Sequence, residues 1–76
     1  MYSVKQMTTA DRIKLLRKTL GITQKDFAKK LGITQASLSL IESGTSSLTK
    51  QNIKLICMNF GISEEWLVDG VGERYS

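Results

Sequence analysis

The stretch TQKDFAKKLGITQASLSLIESG, Thr23 to Gly44, constrains the fold more than any other part of the chain. It holds two short helix patterns, each opened by a Thr-Gln pair, joined across a tight turn at Gly32. Thr23 starts the first, with Asp26 completing a capping box and Phe27, Ala28 and Leu31 forming the apolar stripe. Thr34 starts the second, where Leu38 and Ile41 face inward and Gly44 ends the run. That spacing leaves room for a supporting helix, a turn of a few residues, and a second helix whose first turn stays free. A helix presented in this way can project into a DNA groove.

The flanking sequence supplies a body to hold it. Thr8 and Asp11 form a capping box, Ile13, Leu16 and Leu20 recur at helical spacing, and Gly21 closes that segment. After a polar link, Thr45-Ser46-Ser47, Thr49 opens a fourth helix carrying Ile53, Ile56, Cys57 and Phe60, and Gly61 stops it. Ser63 opens a short fifth segment with Trp66 and Leu67, ended by Gly70. Nothing in the chain shows sustained period-two alternation, so the expectation is all-α, five short helices. The sequence Gly-Ile-Thr-Gln occurs twice, at Gly21–Gln24 and Gly32–Gln35. In both places a C-capping glycine and an inward Ile precede a capping Thr, so one corner is built twice. Two such corners do not make a repeat architecture.

Composition narrows the class. Seventy-six residues allow one domain with one small core, and 41% apolar residues are enough to pack it. The single cysteine, Cys57, excludes an intramolecular disulfide framework, and with no histidine the chain has no obvious zinc or cofactor site. Cys57 lies within an apolar stripe and reads as a small buried hydrophobe rather than a reactive thiol. No apolar run has membrane-spanning length, and MYSVKQMTTADR resembles no signal peptide, so a cytoplasmic domain is expected. The missing histidine, phosphate loop and activated acid pair argue against an enzyme or a small-molecule substrate.

Charge is uneven along the chain. Up to Lys54 there are ten Lys and Arg against Asp11, Asp26 and Glu42, a balance of +7; from Leu55 onward Arg74 faces four carboxylates, a balance of −3. The front half is therefore the part drawn to a polyanion. Solubilising surface is the plain alternative for these lysines.

Taken together, these residues resemble the phage Cro/repressor (XRE-type) helix-turn-helix family, from about Arg12 to Glu73. The likeness is carried by Arg12-Ile13, Thr23-Gln24, Ala28 and Gly32, by Leu38-Ser39-Leu40-Ile41-Glu42-Ser43-Gly44, and by the ending Trp66-Leu67-Val68-Asp69-Gly70-Val71-Gly72-Glu73. The resemblance implies a five-helix, lambda-repressor-like DNA-binding domain over 8–70, with the helix-turn-helix proper at 24–43. A C-terminal tail follows at 71–76. For the N-terminal arm, 1–7, two readings stay open: disorder, or Lys5 following a groove.

The resemblance also implies roles. Gln35, at the first position of the recognition helix, falls where the family places a base contact, and a Gln amide can bond adenine N6 and N7. Ala36 is small enough to touch a thymine methyl, and Ser39 and Leu40 lie one turn further on. Family members usually carry a polar or basic side chain at the Leu40 position. An apolar one either meets thymine methyls or is buried by a neighbouring loop. Phosphate contacts are expected from Gln24 with the free N–H groups of its helix, from Thr23, Thr34 and Ser37, and from Ser43, Thr45 and Lys50. For Thr23 and Thr34 the competing reading is that capping occupies the hydroxyls.

Structural roles fall to Ala28 at the helix crossing, Gly32 at positive φ, and Leu38 and Ile41 as anchors. Trp66 is expected to close the core with Phe60 and Leu67. Family resemblance pairs Glu42 with Arg17; the alternative makes Arg17 a free phosphate contact.

Two functions compete. One is a sequence-specific transcriptional regulator, a repressor by family resemblance, that binds a pseudo-palindromic operator in double-stranded DNA as a homodimer, with Val68 and Val71 as candidates for the seam. The other is an antitoxin or protein-interaction module with secondary DNA binding.

Overall fold

The computed structural model describes residues 7–75. Five helices follow one another: α1 (Thr9–Leu20), α2 (Gln24–Leu31), α3 (Gln35–Glu42), α4 (Lys50–Phe60) and α5 (Glu64–Asp69). Every one opens on a hydroxyl residue in extended conformation whose side chain accepts from a backbone N–H three residues on. These are Thr8, Thr23, Thr34, Thr49 and Ser63. Each cap satisfies an N–H that has no partner within its helix and contributes on the order of 1 kcal/mol. Only Thr8 forms the full box, with Asp11 returning a bond to the cap N–H. The box expected at Thr23 and Asp26 is half made: the Thr23 side chain accepts from Asp26 N at 3.1 Å.

The repeated Gly-Ile-Thr-Gln segments do form the same corner. Ile22 N donates to Arg17 O at 3.3 Å and Ile33 N to Ala28 O at 3.1 Å, each closing over a left-handed glycine. The corner also turns Ile22 and Ile33 onto the core. Helix α3 closes differently and slightly earlier than expected, at Glu42, with Ser43 still right-handed and Gly44 taking the positive φ.

The core joins Ile13 and Leu16 of α1, Phe27, Ala28 and Leu31 of α2, Leu38 and Ile41 of α3, Ile56 of α4, Ile62, and Trp66 and Leu67 of α5. Leu20 shares the face of Ile13 and Leu16 but sits in the last turn of α1, where it is exposed rather than core. Trp66 and Leu67 lie in the core and Phe60 packs against it. Phe60 also stacks on Phe27, centroids 5.0 Å apart and planes nearly parallel, tying α4 to α2. Trp66 is covered by the Arg74 guanidinium, 5.1 Å from its ring. The chain after Gly70 folds back to allow this, with Ser63 N donating to Arg74 O at 2.8 Å beside an Ile62–Tyr75 antiparallel bridge. Cys57 is half-buried against the core, and burial, followed by the Glu64 charge, pushes its thiol above the ordinary range.

Arg12 is the largest departure from expectation. The charge count treats it as part of a basic front, yet it is buried, at 3% exposure. Its Nε donates to Leu67 O at 2.7 Å and its Nη2 to Val68 O at 2.8 Å, with Nη1 bonded to Met7 O. Leu67 and Val68 lie in the last turn of α5, whose carbonyls lack helical partners, so Arg12 caps α5 from α1. Burial lowers the guanidinium pKa, and the charges of Asp69 and Asp11 counter part of that effect. The arm residues 1–6, including Lys5, lie outside the described residues.

Candidate nucleic-acid interface

Helices α2 and α3 pack against one another across Gly32, which takes a left-handed φ of 71°. Ala28 is 1% exposed, and Leu38 and Ile41 are buried, which fixes the inner face of α3. At 100° per residue, Gln35, Ala36, Ser39 and Leu40 fall within one sector of the helix, opposite Leu38 and Ile41. All four are exposed. Leu40, at 48% exposure, is not covered by a neighbouring loop, which removes one of the two readings open for it.

The position of α3 is locked from behind. Arg17 donates from Nε to Glu42 Oε2 at 2.8 Å and from Nη2 to Glu42 Oε1 at 3.1 Å, a two-pronged bond from α1 to the end of α3. Its third edge donates from Nη1 to Ile22 O at 3.2 Å. The reading of Arg17 as a free phosphate contact therefore falls. Gln24 Nε2 joins the same carboxylate, donating to Oε1 at 3.1 Å. Burial is the strongest influence on Glu42 and would raise its pKa. Hydrogen bonds from Arg17 and Gln24, with the charges of Arg17 and Lys14, outweigh it and hold the carboxyl below its ordinary value. The Arg17 guanidinium moves the other way, raised chiefly by its hydrogen bond to Glu42.

Proton accounting separates the hydroxyl candidates. Thr34 Oγ1 accepts from Ser37 N and donates to Ser37 Oγ at 2.9 Å, so its proton is used. Ser43 Oγ donates to Leu40 O at 2.9 Å, which leaves Thr45 Oγ1 as donor in their mutual 2.9 Å contact. Thr23 and Ser37 use their oxygens as acceptors and keep a proton to give. Gln24 retains a second amide N–H. Lys50 opens α4 and is exposed, bordering a shallow groove with Lys54 and Glu64.

Electrostatically, the described part of the basic front comes from its lysines. Arg12 is buried and Arg17 is neutralised by Glu42, while Lys14, Lys18, Lys25, Lys29, Lys30, Lys50 and Lys54 are all exposed. Reading the residues alone missed the Arg12 clamp and the Gln24–Glu42 bond. A signal for the first was present: a cation in the first turn of a helix opposes the helix dipole and needs another reason to be there.

A family model described as helix-turn-helix matches residues 13–67, most of the chain and all of this geometry. The chain belongs to the XRE-type helix-turn-helix family. Among curated relatives of this helix-turn-helix domain, it is 49% identical over 61 residues to "Antitoxin PezA" of Streptococcus pneumoniae, covering 80% of this chain and 37% of that protein. It is 35% identical over 66 residues to "HTH-type transcriptional regulator DicA" of Escherichia coli, covering 87% of this chain and 49% of that one. A regulator for the conjugative element SXT of Vibrio cholerae is 32% identical over 66 residues, covering 87% of this chain and 30% of the relative. The chain thus spans less than half the length of each of these relatives.

Among solved structures, the P22 c2 repressor, determined in complex with a synthetic operator, superposes with a TM-score of 0.79 at 23% identity. The match covers 87% of this chain and all of that one. It shows that the five-helix, repressor-like fold is shared. Among the described residues no helix is long and apolar enough to cross a membrane.

Proposed function

We propose that this helix-turn-helix domain is the sequence-reading part of a transcriptional regulator, a repressor, acting on double-stranded DNA in the cytoplasm and not an enzyme. The observation that carries this reading is the exposed sector of α3. Gln35, Ala36, Ser39 and Leu40 point away from the core on a helix braced through Glu42 by both Arg17 and Gln24. A rigid helix with a free amide, a methyl, a hydroxyl and an isobutyl group suits base edges and thymine methyls in a major groove. In this reading Gln35 bonds an adenine, Ala36 and Leu40 touch thymine methyls, and Ser39 adds a polar contact.

Phosphates are held by Thr23 and Ser37 through their remaining hydroxyl protons, by Gln24 through its second N–H, and by Lys50 through its charge. Thr34, Ser43 and Thr45, assigned the same role from sequence, can donate to a phosphate only by releasing their internal bonds. A module of this size buries only about 600–1,000 Å² on DNA, so two copies on inverted half-sites are needed for tight binding. In this reading Val71, which is exposed, and Val68, which is half-buried, line the seam between them.

Selecting bound sequences from a random DNA pool tests the reading. Enrichment of an inverted repeat with A·T-rich half-sites about one helical turn apart supports it; recovery of no common motif refutes it. The 49% identity to an antitoxin favours a second reading, in which the same DNA-binding surface serves the antitoxin half of a protein pair. A stable complex with a protein partner, insensitive to salt, would select that alternative.

A further inference from the structure

We infer that Lys14 on α1 is a backbone-phosphate contact beside the C-terminal end of the recognition helix, an inference that rests on the DNA-binding reading above. From sequence, the one α1 residue weighed as a phosphate contact is Arg17, and Glu42 takes it up. The structure gives it one through the arrangement around Glu42. Arg17 and Glu42 cancel one another's charge, and Gln24 adds only an amide to the same carboxylate. A phosphate approaching this corner would therefore meet a neutral pair with a carboxylate in it, and binding there needs a further cation.

Lys14 is the residue placed to supply it. It lies one turn before Arg17 on α1, and residues three apart share a helix face. It is exposed, and among the described residues it has no ion-pair partner. Arg17 reaches Glu42 from this face of α1, so the residue one turn before it stands on the Glu42 side, and its charge is among those that favour the ionised carboxyl. The same corner carries Gln24, whose second N–H is not used by the network, so the lysine and the amide together make a two-point phosphate grip.

The test is the salt dependence of affinity for the sequence selected by the wild-type chain. Removing one phosphate-neutralising cation lowers the slope of log affinity against log salt by about 0.9. Lys14→Gln should lower it by that amount, leave the selected motif unchanged and shift thermal unfolding only slightly, while Lys14→Arg should restore the slope. Lys54→Gln, on α4 beside Glu64, serves as the comparison and should leave the slope where it was. A Lys14→Gln slope equal to wild type, or a fall matched by Lys54→Gln, overturns the assignment. So does a changed motif, which would make Lys14 a base contact. Failure of the wild-type chain to bind DNA in a salt-dependent way overturns both this inference and the reading beneath it, and so is distinguishable from failure of the inference alone.

Discussion

Arg17 grips Glu42 with two nearly parallel hydrogen bonds, 2.8 Å from Nε and 3.1 Å from Nη2, across 25 residues of chain. The two partners are unequally buried, with side-chain exposures of 14% for Arg17 and 2% for Glu42. Removing either one therefore has different consequences. Arg17→Ala strands a carboxylate inside the protein and should cost about 3–5 kcal/mol. Glu42→Ala leaves a guanidinium that reaches water and should cost clearly less. Urea unfolding of both variants checks this; equal losses would mean that the pair behaves as a surface contact.

The same pair sets the response to acid. The Glu42 carboxyl has its pKa below the ordinary value in the folded chain, so the unfolded chain binds the proton more readily. Its contribution is fully present above the unfolded carboxyl value of about 4.3 and is lost as pH falls through the folded value. Glu42→Gln should therefore flatten the decline in unfolding midpoint below that pH. Parallel acid limbs for wild type and variant would contradict the assignment.

Arg12 caps α5 from a buried position, and its loss should be felt as stability rather than as weakened attraction for DNA. Arg12→Met keeps much of the volume but leaves Leu67 O and Val68 O without their donor. A loss of about 2–4 kcal/mol is expected, since each buried unsatisfied acceptor costs on the order of 1–3 kcal/mol. The salt slope of DNA binding, measured at a temperature where the variant is folded, should not change. A lowered slope would place the guanidinium on the DNA.

Gly32 separates conformational strain from crowding. A Cβ built there meets nothing within 4 Å, so only the φ of 71° opposes a side chain. Gly32→Ala should cost roughly 1–2 kcal/mol and Gly32→Asn less, because Asn tolerates the left-handed region. Denaturation midpoints decide it; an alanine variant several kcal/mol weaker would mean that the turn is packed rather than merely left-handed.

What could be read from the residues was whatever depends on short-range chemistry. Thr8, Thr23, Thr34, Thr49 and Ser63 each accept a bond from an N–H three residues ahead, so the helix starts are visible as local patterns. Leu38 and Ile41 are similarly fixed by helical spacing. Features set by distant approach were invisible. Arg12 looks like any surface cation until α5 arrives 55 residues later, and Gln24 looks free until Glu42 is brought beside it. Leu20 has the right spacing but no neighbour to cover it. Proton direction at Thr34 and Thr45 depends on which hydroxyl stands opposite, which residue type alone does not specify.

The central claim is that Gln35, at the tip of a braced helix, reads a base while Gln24, at the start of α2, holds a phosphate. Selection from a random DNA pool with wild type, Gln35→Ala and Gln24→Ala tests it most directly. Gln35→Ala should lose discrimination at one base pair per half-site, worth about 1–3 kcal/mol, and keep the remainder of the motif. Gln24→Ala should weaken every sequence alike and leave the motif intact. Recovery of the wild-type motif at undiminished strength by both variants would contradict the account.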